Sequence, residues 1–389
     1  MPLITDTEEL EAFCLRLSQD SYITVDTEFM REKTFWPILC LVQVAGAREG
    51  RVIDAMAEGM DLTSLFKLMA DPSKLKVFHA ARQDLEIFHK LTGRLPEPVF
   101  DTQVAAMVCG FGDSVGYEAL ISKLTKNRVD KSSRFTDWAL RPLSERQISY
   151  ALADVTYLRE AYEKLQDMLD ANGRAGWLEE EMAVLMSNGT YDPDPREAFR
   201  RIKAGNANAR CLAVLREVAA WREEEARRRD QPRNRILRDE ALMEISHHTP
   251  STPADLARTR GLGRRLAEGP AGEAILKAVK RGLDTPKEER PQPKVRRELP
   301  RGIGPVSDLL KVLLKMKCEE SGVAQKLLAS VADVEMIAAF GADADVKALH
   351  GWRREVFGAD ALKLRNGETA LAVGGKKLIL VDGSQTLAS

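Results

Sequence analysis

The chain has 389 residues, of which 44% are hydrophobic, 30% charged and 6% aromatic. At one to two hundred residues per domain, roughly two to four domains are expected. No run approaches the roughly twenty uncharged apolar residues of a membrane-spanning helix. The first residues, MPLITDTEELEAF, have no basic start followed by an apolar run, so a cytoplasmic rather than secreted protein is expected. Five cysteines (Cys14, Cys40, Cys109, Cys211, Cys318) lie far apart without a CxxC pair, which argues for reduced thiols and against a disulfide framework or zinc cluster. The net charge of −1 hides a division: residues 1–190 hold 21 Lys+Arg against 30 Asp+Glu, residues 191–300 hold 25 against 18, and residues 301–389 hold 12 against 11. An acidic front and a basic middle suit carboxylates that hold cations and a separate surface that meets a polyanion. Chance and solvated helix faces are the competing explanation.

Residues 21–29 (SYITVDTEF), 38–46 (ILCLVQVAG) and 50–56 (GRVIDAM) read as three consecutive strands that begin the first domain. A helical pattern at 61–70, a strand at 74–80, a helix at 82–92 and a short strand at 98–102 follow, then helical patterns at 103–109, 117–126, 144–170 and 176–187. A meander followed by alternating helix and strand predicts a mixed α/β sheet with helices packed against it. TYDPDPRE at 190–197 breaks the chain. Beyond about 198 only helical spacing remains, as in Leu212, Leu215, Val218 and Ala219, which predicts a small bundle over 198–283. The segment 284–302 has four prolines among charges and reads as an extended linker. A second helical set follows from 303, and TALAVGGKKLILVDG reads as a hairpin joined at Gly374 and Gly375.

Asp26 and Glu28 sit two apart in an otherwise apolar strand, so their side chains share one face of the sheet. No Lys or Arg falls within that strand, and two desolvated carboxylates without a counter-charge are costly, so a divalent cation is their natural partner. A strand end open to water is the alternative. Asp84 falls in the first turn of the helix after KLKVFHA, where the helix dipole favours a carboxylate. Tyr150 and Asp154 are four apart in SERQISYALADVTYL, hence one turn apart on one helix face.

Together the acids and the tyrosine form the pattern DTEF, HAARQD and Y-x-x-x-D. This pattern resembles the DEDD superfamily of 3′-5′ exonucleases in its tyrosine variety, and within it the ribonuclease D family, whose nuclease domain is coupled to one or two HRDC domains. The two helical segments look like such domains, so the likeness spans nearly the whole chain. The resemblance implies a ribonuclease H-like sheet with the acids at one edge of it and two Mg²⁺ or Mn²⁺ ions between them, about 4 Å apart. By that analogy Asp26 bridges both ions, Glu28 and Asp154 complete one site, Asp84 supports the other through water, and Tyr150 orients the attacking water. It further implies release of nucleoside 5′-monophosphates from RNA, with transfer RNA precursors as a substrate class and no obligate protein partner. A DNA exonuclease and a non-catalytic nucleic-acid scaffold are the alternatives, the second disfavoured by the full acid set.

Phe35 and Trp36 are candidate stacking residues for the terminal base, a contact worth about 1 to 3 kcal/mol per base. His79 is a candidate phosphate donor or support for Asp84, and Asp101 a candidate to position the site. Packing or structural roles compete in each case. Arg227, Arg228, Arg229, Arg233, Arg235 and Arg238 crowd one region of the bundle and suit phosphate contacts. Gly261 and Gly263 in RTRGLGRR form a weaker anion-binding signal.

Overall fold

The computed structural model describes residues 2–129, 136–293 and 299–383. The first unit opens on β1 (Leu3–Ile4) and α1 (Thr7–Leu17), which precede the meander. Asp6 caps α1 by accepting from the Glu9 N–H, and Leu10, Phe13, Cys14 and Leu17 form its buried face. Then come β2 (Tyr22–Met30), β3 (Ile38–Ala45), β4 (Gly50–Asp54), α2 (Thr63–Ala70), β5 (Leu75–Phe78), α3 (Arg82–Thr92), β6 (Val99–Asp101), α4 (Thr102–Val108) and α5 (Tyr117–Thr125). α6 (Glu145–Asn172) and α7 (Ala175–Leu185) complete the unit.

The mixed sheet runs β1-β4-β3-β2-β5-β6. β2 is antiparallel to β3 and parallel to β5, so the strand that carries Asp26 and Glu28 lies inside the sheet. The expectation of acids at one edge is corrected accordingly: they stand on the face beside α6. Opposite faces of the strands build different cores. Ile23, Val25, Val42, Val44 and Ile53 pack with α1, α2 and α3. Leu41 and Val52 pack with Trp138 and Ala151 on the other side. A capping box between Ser144 and Gln147 starts α6.

A 3-10 turn (Pro195–Arg201) leads into the first bundle, with Phe199 and Ile202 in its core. The bundle comprises α8 (Ala209–Arg229), α9 (Arg233–Ile236), α10 (Asp239–His248), α11 (Pro253–Leu256), α12 (Arg264–Ala267) and α13 (Pro270–Asp284). The expected extended linker is partly folded: Lys287–Glu289 form a 3-10 turn, and Arg290 Nε donates to the Thr285 carbonyl at 2.9 Å. Guanidinium bonds to backbone carbonyls replace the apolar burial this stretch lacks. Its residues 294–298 lie outside the described residues.

The last unit contains α14 (Gly304–Ser321), α15 (Gln325–Leu328), α16 (Val331–Phe340), α17 (Gly351–Arg353) and α18 (Ala359–Arg365), with the π-helical turn Arg354–Gly358 joining α17 to α18. The expected hairpin is β7 (Thr369–Gly374) and β8 (Lys377–Asp382), turned at Gly375 with φ +66°. Residues 384–389, included in the expected last domain, lie outside the described residues. Both helical units share one plan: a long helix, a four-residue helix, a ten-residue helix, short turns and a closing helix. The second unit packs on helices of the nuclease unit. Trp352 stacks on Trp177 with centroids 4.3 Å apart and planes at 10°, and Arg353 pairs with Glu180 and Glu181. Leu310 and Leu313 share a core with Leu165, Leu169 and Met182.

Candidate active site

The period of two in β2 places Asp26 and Glu28 on one face, as the spacing requires. The pairing register with β3 shifts between Glu28 and Phe29, a bulge that re-aims the strand end just after the second acid. α6 crosses this face, and the Thr24 hydroxyl on β2 donates to the Val155 carbonyl at 2.8 Å. Asp154 is thereby brought over the two strand acids. One carboxylate oxygen from each of Asp26, Glu28 and Asp154 lies within 4.8 Å of the others.

Asp84 reaches the same cavity from the first turn of α3. Thr27, between the two strand acids, donates its hydroxyl to Asp84. The turn into α3 is held from beneath by Asp101, which accepts from the Ala80 and Ala81 N–H groups, each at 2.9 Å, and from Gln103 N–H at 2.8 Å. Ala80 sits in the left-handed region at φ +58°, a conformation unfavourable for a residue with a Cβ unless fixed from outside. Asp101 is thus a buried cap and turn anchor with all its bonds directed to backbone.

The cavity, of about 290 Å³, is lined by Asp26, Glu28, Asp84, Tyr150 and Asp154 together with Phe29, His79 and Tyr117. Burial pushes the Asp26 carboxyl up to about 7. Burial and then Asp26, Asp154 and Asp84 push Glu28 up to about 10. Burial and then Asp26 raise Asp154 to about 8 and move Asp84 well above the usual carboxylate range. Among the described residues no Lys or Arg contributes to this balance. Four acids that cannot all ionise together, offering only oxygen donors, fit a hard divalent cation in place of the missing counter-charge.

Tyr150 lies one turn before Asp154 on α6, and both side chains line the cavity. Burial, then Asp154 and Glu28, push the phenol above its ordinary value near 10. A phenol so placed stays neutral and can donate a hydrogen bond. Trp138 stacks beside it, with centroids 6.1 Å apart and planes at 29°. Arg141 fixes the Trp138 loop by pairing with Asp54 and donating to the Trp138 carbonyl at 2.7 Å.

Tyr117 and Thr27, which the sequence did not single out, both belong to this site. Tyr117 donates to the Ala153 carbonyl at 3.0 Å, one residue before Asp154. His79 lines the cavity, its Nδ1 3.0 Å from the Thr102 hydroxyl and its ring edge-on to Tyr117. Burial lowers its pKa despite Asp101 nearby, and the neutral ring keeps one N–H to donate.

Phe35 and Trp36 do not line this cavity, a correction to their expected stacking role. Their N–H groups donate to Asp230 at the end of α8, and Phe35 is buried against Ala226 and Ile236. Lys90 sits over the Trp36 ring and Arg233 over that of Phe35. The aromatic pair joins the nuclease unit to the first bundle because its apolar rings find a bundle surface to cover. The arginine-rich surface is partly paired within the chain. Arg227 pairs with Asp192, Arg228 and Arg229 with Glu225, and Arg233 with Glu223, so much of its charge is balanced internally, while Arg235 and Arg238 are exposed. Gly261 is left-handed at φ +79°, and Gly263 precedes only the four-residue α12.

Residues 1–170 match the sequence family described as 3′-5′ exonuclease, and residues 212–279 match the HRDC domain. One HRDC match is found where the sequence led us to expect two such domains. A ribonuclease D of Granulibacter bethesdensis is 50% identical over 380 residues, covering 97% of this chain and 96% of that protein. One of Nitrobacter hamburgensis is 48% identical, covering 99% of this chain and 100% of that protein. The crystal structure of Escherichia coli RNase D, described as an exoribonuclease involved in structured RNA processing, superposes with a TM-score of 0.78 at 30% identity, covering 93% of this chain and 97% of that one.

Proposed function

The chain belongs to the ribonuclease D family and is a 3′-5′ exoribonuclease; we propose that it trims the 3′ ends of transfer RNA precursors and other stable RNAs, releasing nucleoside 5′-monophosphates. The observation that carries this reading is the convergence of Asp26, Glu28 and Asp154 within 4.8 Å in a cavity that also admits Asp84 and Tyr150.

In this reading Asp26, Glu28, Asp84 and Asp154 would hold two Mg²⁺ or Mn²⁺ ions, with Asp26 contributing to both, Glu28 and Asp154 to one, and Asp84 to the other through water. Cations held by these carboxylates would supply a lowered pKa for the attacking water and an offset to the charge on the departing 3′ oxygen. Tyr150, beside Asp154 in the cavity lining, would orient the attacking water by hydrogen bonding. Thr27 and Asp101 keep Asp84 in register with the strand acids.

Residues 1–190 form the nuclease domain, 198–283 the HRDC domain, 284–302 the linker and 303–389 a second HRDC-type domain with its hairpin. The helical plan shared by the two units supports the last assignment. The helical domains bind the structured body of the RNA while its single-stranded 3′ tail enters the acidic cavity. A cytoplasmic location accords with this reading.

The test is a transfer RNA precursor with a 3′ trailer, run beside a DNA single strand of the trailer sequence, with Mg²⁺ or Mn²⁺. Stepwise trimming of the RNA with 5′-mononucleotide products, and weak cutting of the DNA, supports the reading. Equal cutting of DNA moves the substrate to DNA.

A further inference from the structure

β3 reads ILCLVQVA, and Gln43 is the one polar side chain in it besides the thiol of Cys40. It is completely buried, and among the described residues neither amide atom has a hydrogen-bond partner. Such a group is costly inside a protein, because both its donors and its acceptor have given up water. Its place in the sheet indicates where the missing partner lies. Gln43 is directly opposite Asp26 in the antiparallel pair, so the two side chains stand on one face with Cβ atoms about 5 Å apart. Across β4 its opposite is Val52, which offers nothing polar. Thr24, diagonal to it on β2, already spends its hydroxyl on the Val155 and Ala45 carbonyls. Ala151 and Val155 on the covering helix are apolar and buried. The polar groups left on that face are the carboxylates of the acid cluster, and Asp26 is the one directly opposite.

We propose that Gln43 is a positioning residue for the reaction: its side-chain amide holds the Asp26 carboxylate through one buried water, or directly once cations are bound, in the orientation that binds divalent cations. The proposal rests on the reading of Asp26 as a metal ligand. Gln43 touches neither substrate nor cation. It restricts rotation of a carboxylate that must offer oxygens to two ions at once, as groups bonded to metal ligands commonly do.

The test is calorimetric titration of the metal-free full chain with Mn²⁺, comparing the unmodified protein with Gln43→Met, which keeps the shape and removes the amide. Mn²⁺ affinity is expected to fall about tenfold, with kcat falling alongside it and KM for RNA little changed. The unfolding midpoint in EDTA should hold or rise, since an unpartnered amide has been removed. Unchanged Mn²⁺ affinity, or a loss of affinity that merely tracks a lower unfolding midpoint, overturns the proposal. If the unmodified protein itself binds no Mn²⁺, the metal-site reading has failed. If it binds and Gln43→Met binds equally, the positioning role alone is wrong. A metal-bound crystal structure of the unmodified chain decides without any variant: a bond from the Gln43 amide to Asp26, or one bridging water, supports the role, and an amide turned away from Asp26 refutes it.

Discussion

Replacing Asp154 by Asn is expected to stabilise the metal-free protein at alkaline pH while abolishing hydrolysis. Burial and the Asp26 charge move the Asp154 carboxyl from 3.8 to about 8. At 1.36 kcal/mol per unit, ionising it alone in the folded protein would cost about 5 to 6 kcal/mol. The repulsion is shared with Asp26 and Glu28, so neutralising one member of the cluster should return about 2 kcal/mol. The sign follows from proton uptake. A carboxyl whose pKa is raised by folding keeps a proton that the unfolded chain gives up, so the protein loses stability as pH climbs from about 4 toward 8. The advantage of Asp154→Asn is therefore smallest near pH 4 and greatest near pH 8. Unfolding in EDTA followed by circular dichroism should show a gain of roughly 4 to 8 °C at pH 8 for a unit of this size. Added Mn²⁺ should reverse the order, stabilising the unmodified protein and leaving the variant behind. A variant less stable than the parent at pH 8 without metal would refute the idea that these carboxylates oppose one another.

Tyr150→Phe should lower kcat about 100-fold by releasing the oriented water. The alkaline limb of the pH-rate profile should stay in place, since the phenol is already neutral; loss of that limb would show that it titrates. Asp101→Ala leaves three backbone donors without their acceptor and frees the left-handed turn at Ala80. It should cost about 2 to 3 kcal/mol in urea unfolding, with Asp101→Asn recovering part of it. Trp352→Ala removes the stack on Trp177 and should cost about 3 to 5 kcal/mol. Limited proteolysis should then cut ahead of α14, and an unchanged digestion pattern would show that the stack does not hold the last unit.

The elements that place the acids were legible because their periods are short. Two residues along a strand and four along a helix bring Asp26 with Glu28 and Tyr150 with Asp154 onto single faces, whatever the tertiary arrangement. α1 went unread although its signal was present, with Asp6 as cap and Leu10, Phe13, Cys14 and Leu17 at helical spacing. Tyr117, Thr27 and Gln43 escaped because their meaning is set across the fold: by the Ala153 carbonyl, by Asp84 and by the strand facing Gln43. Phe35 and Trp36 follow the nuclease strand in sequence but bury against a helix nearly two hundred residues away, which local pattern cannot reveal. The arginine cluster carried a readable warning, since Glu225 lies three and four residues before Arg228 and Arg229, close enough to pair with both.

The most direct measurement follows 5′-labelled RNA in Mg²⁺, in Mn²⁺ and in EDTA, with the unmodified chain and with Asp26→Ala. The account predicts a ladder shortening from the 3′ end with either cation, no ladder in EDTA, and none from Asp26→Ala, which still binds the RNA. Shortening that persists in EDTA or in Asp26→Ala would contradict hydrolysis at this acid cluster.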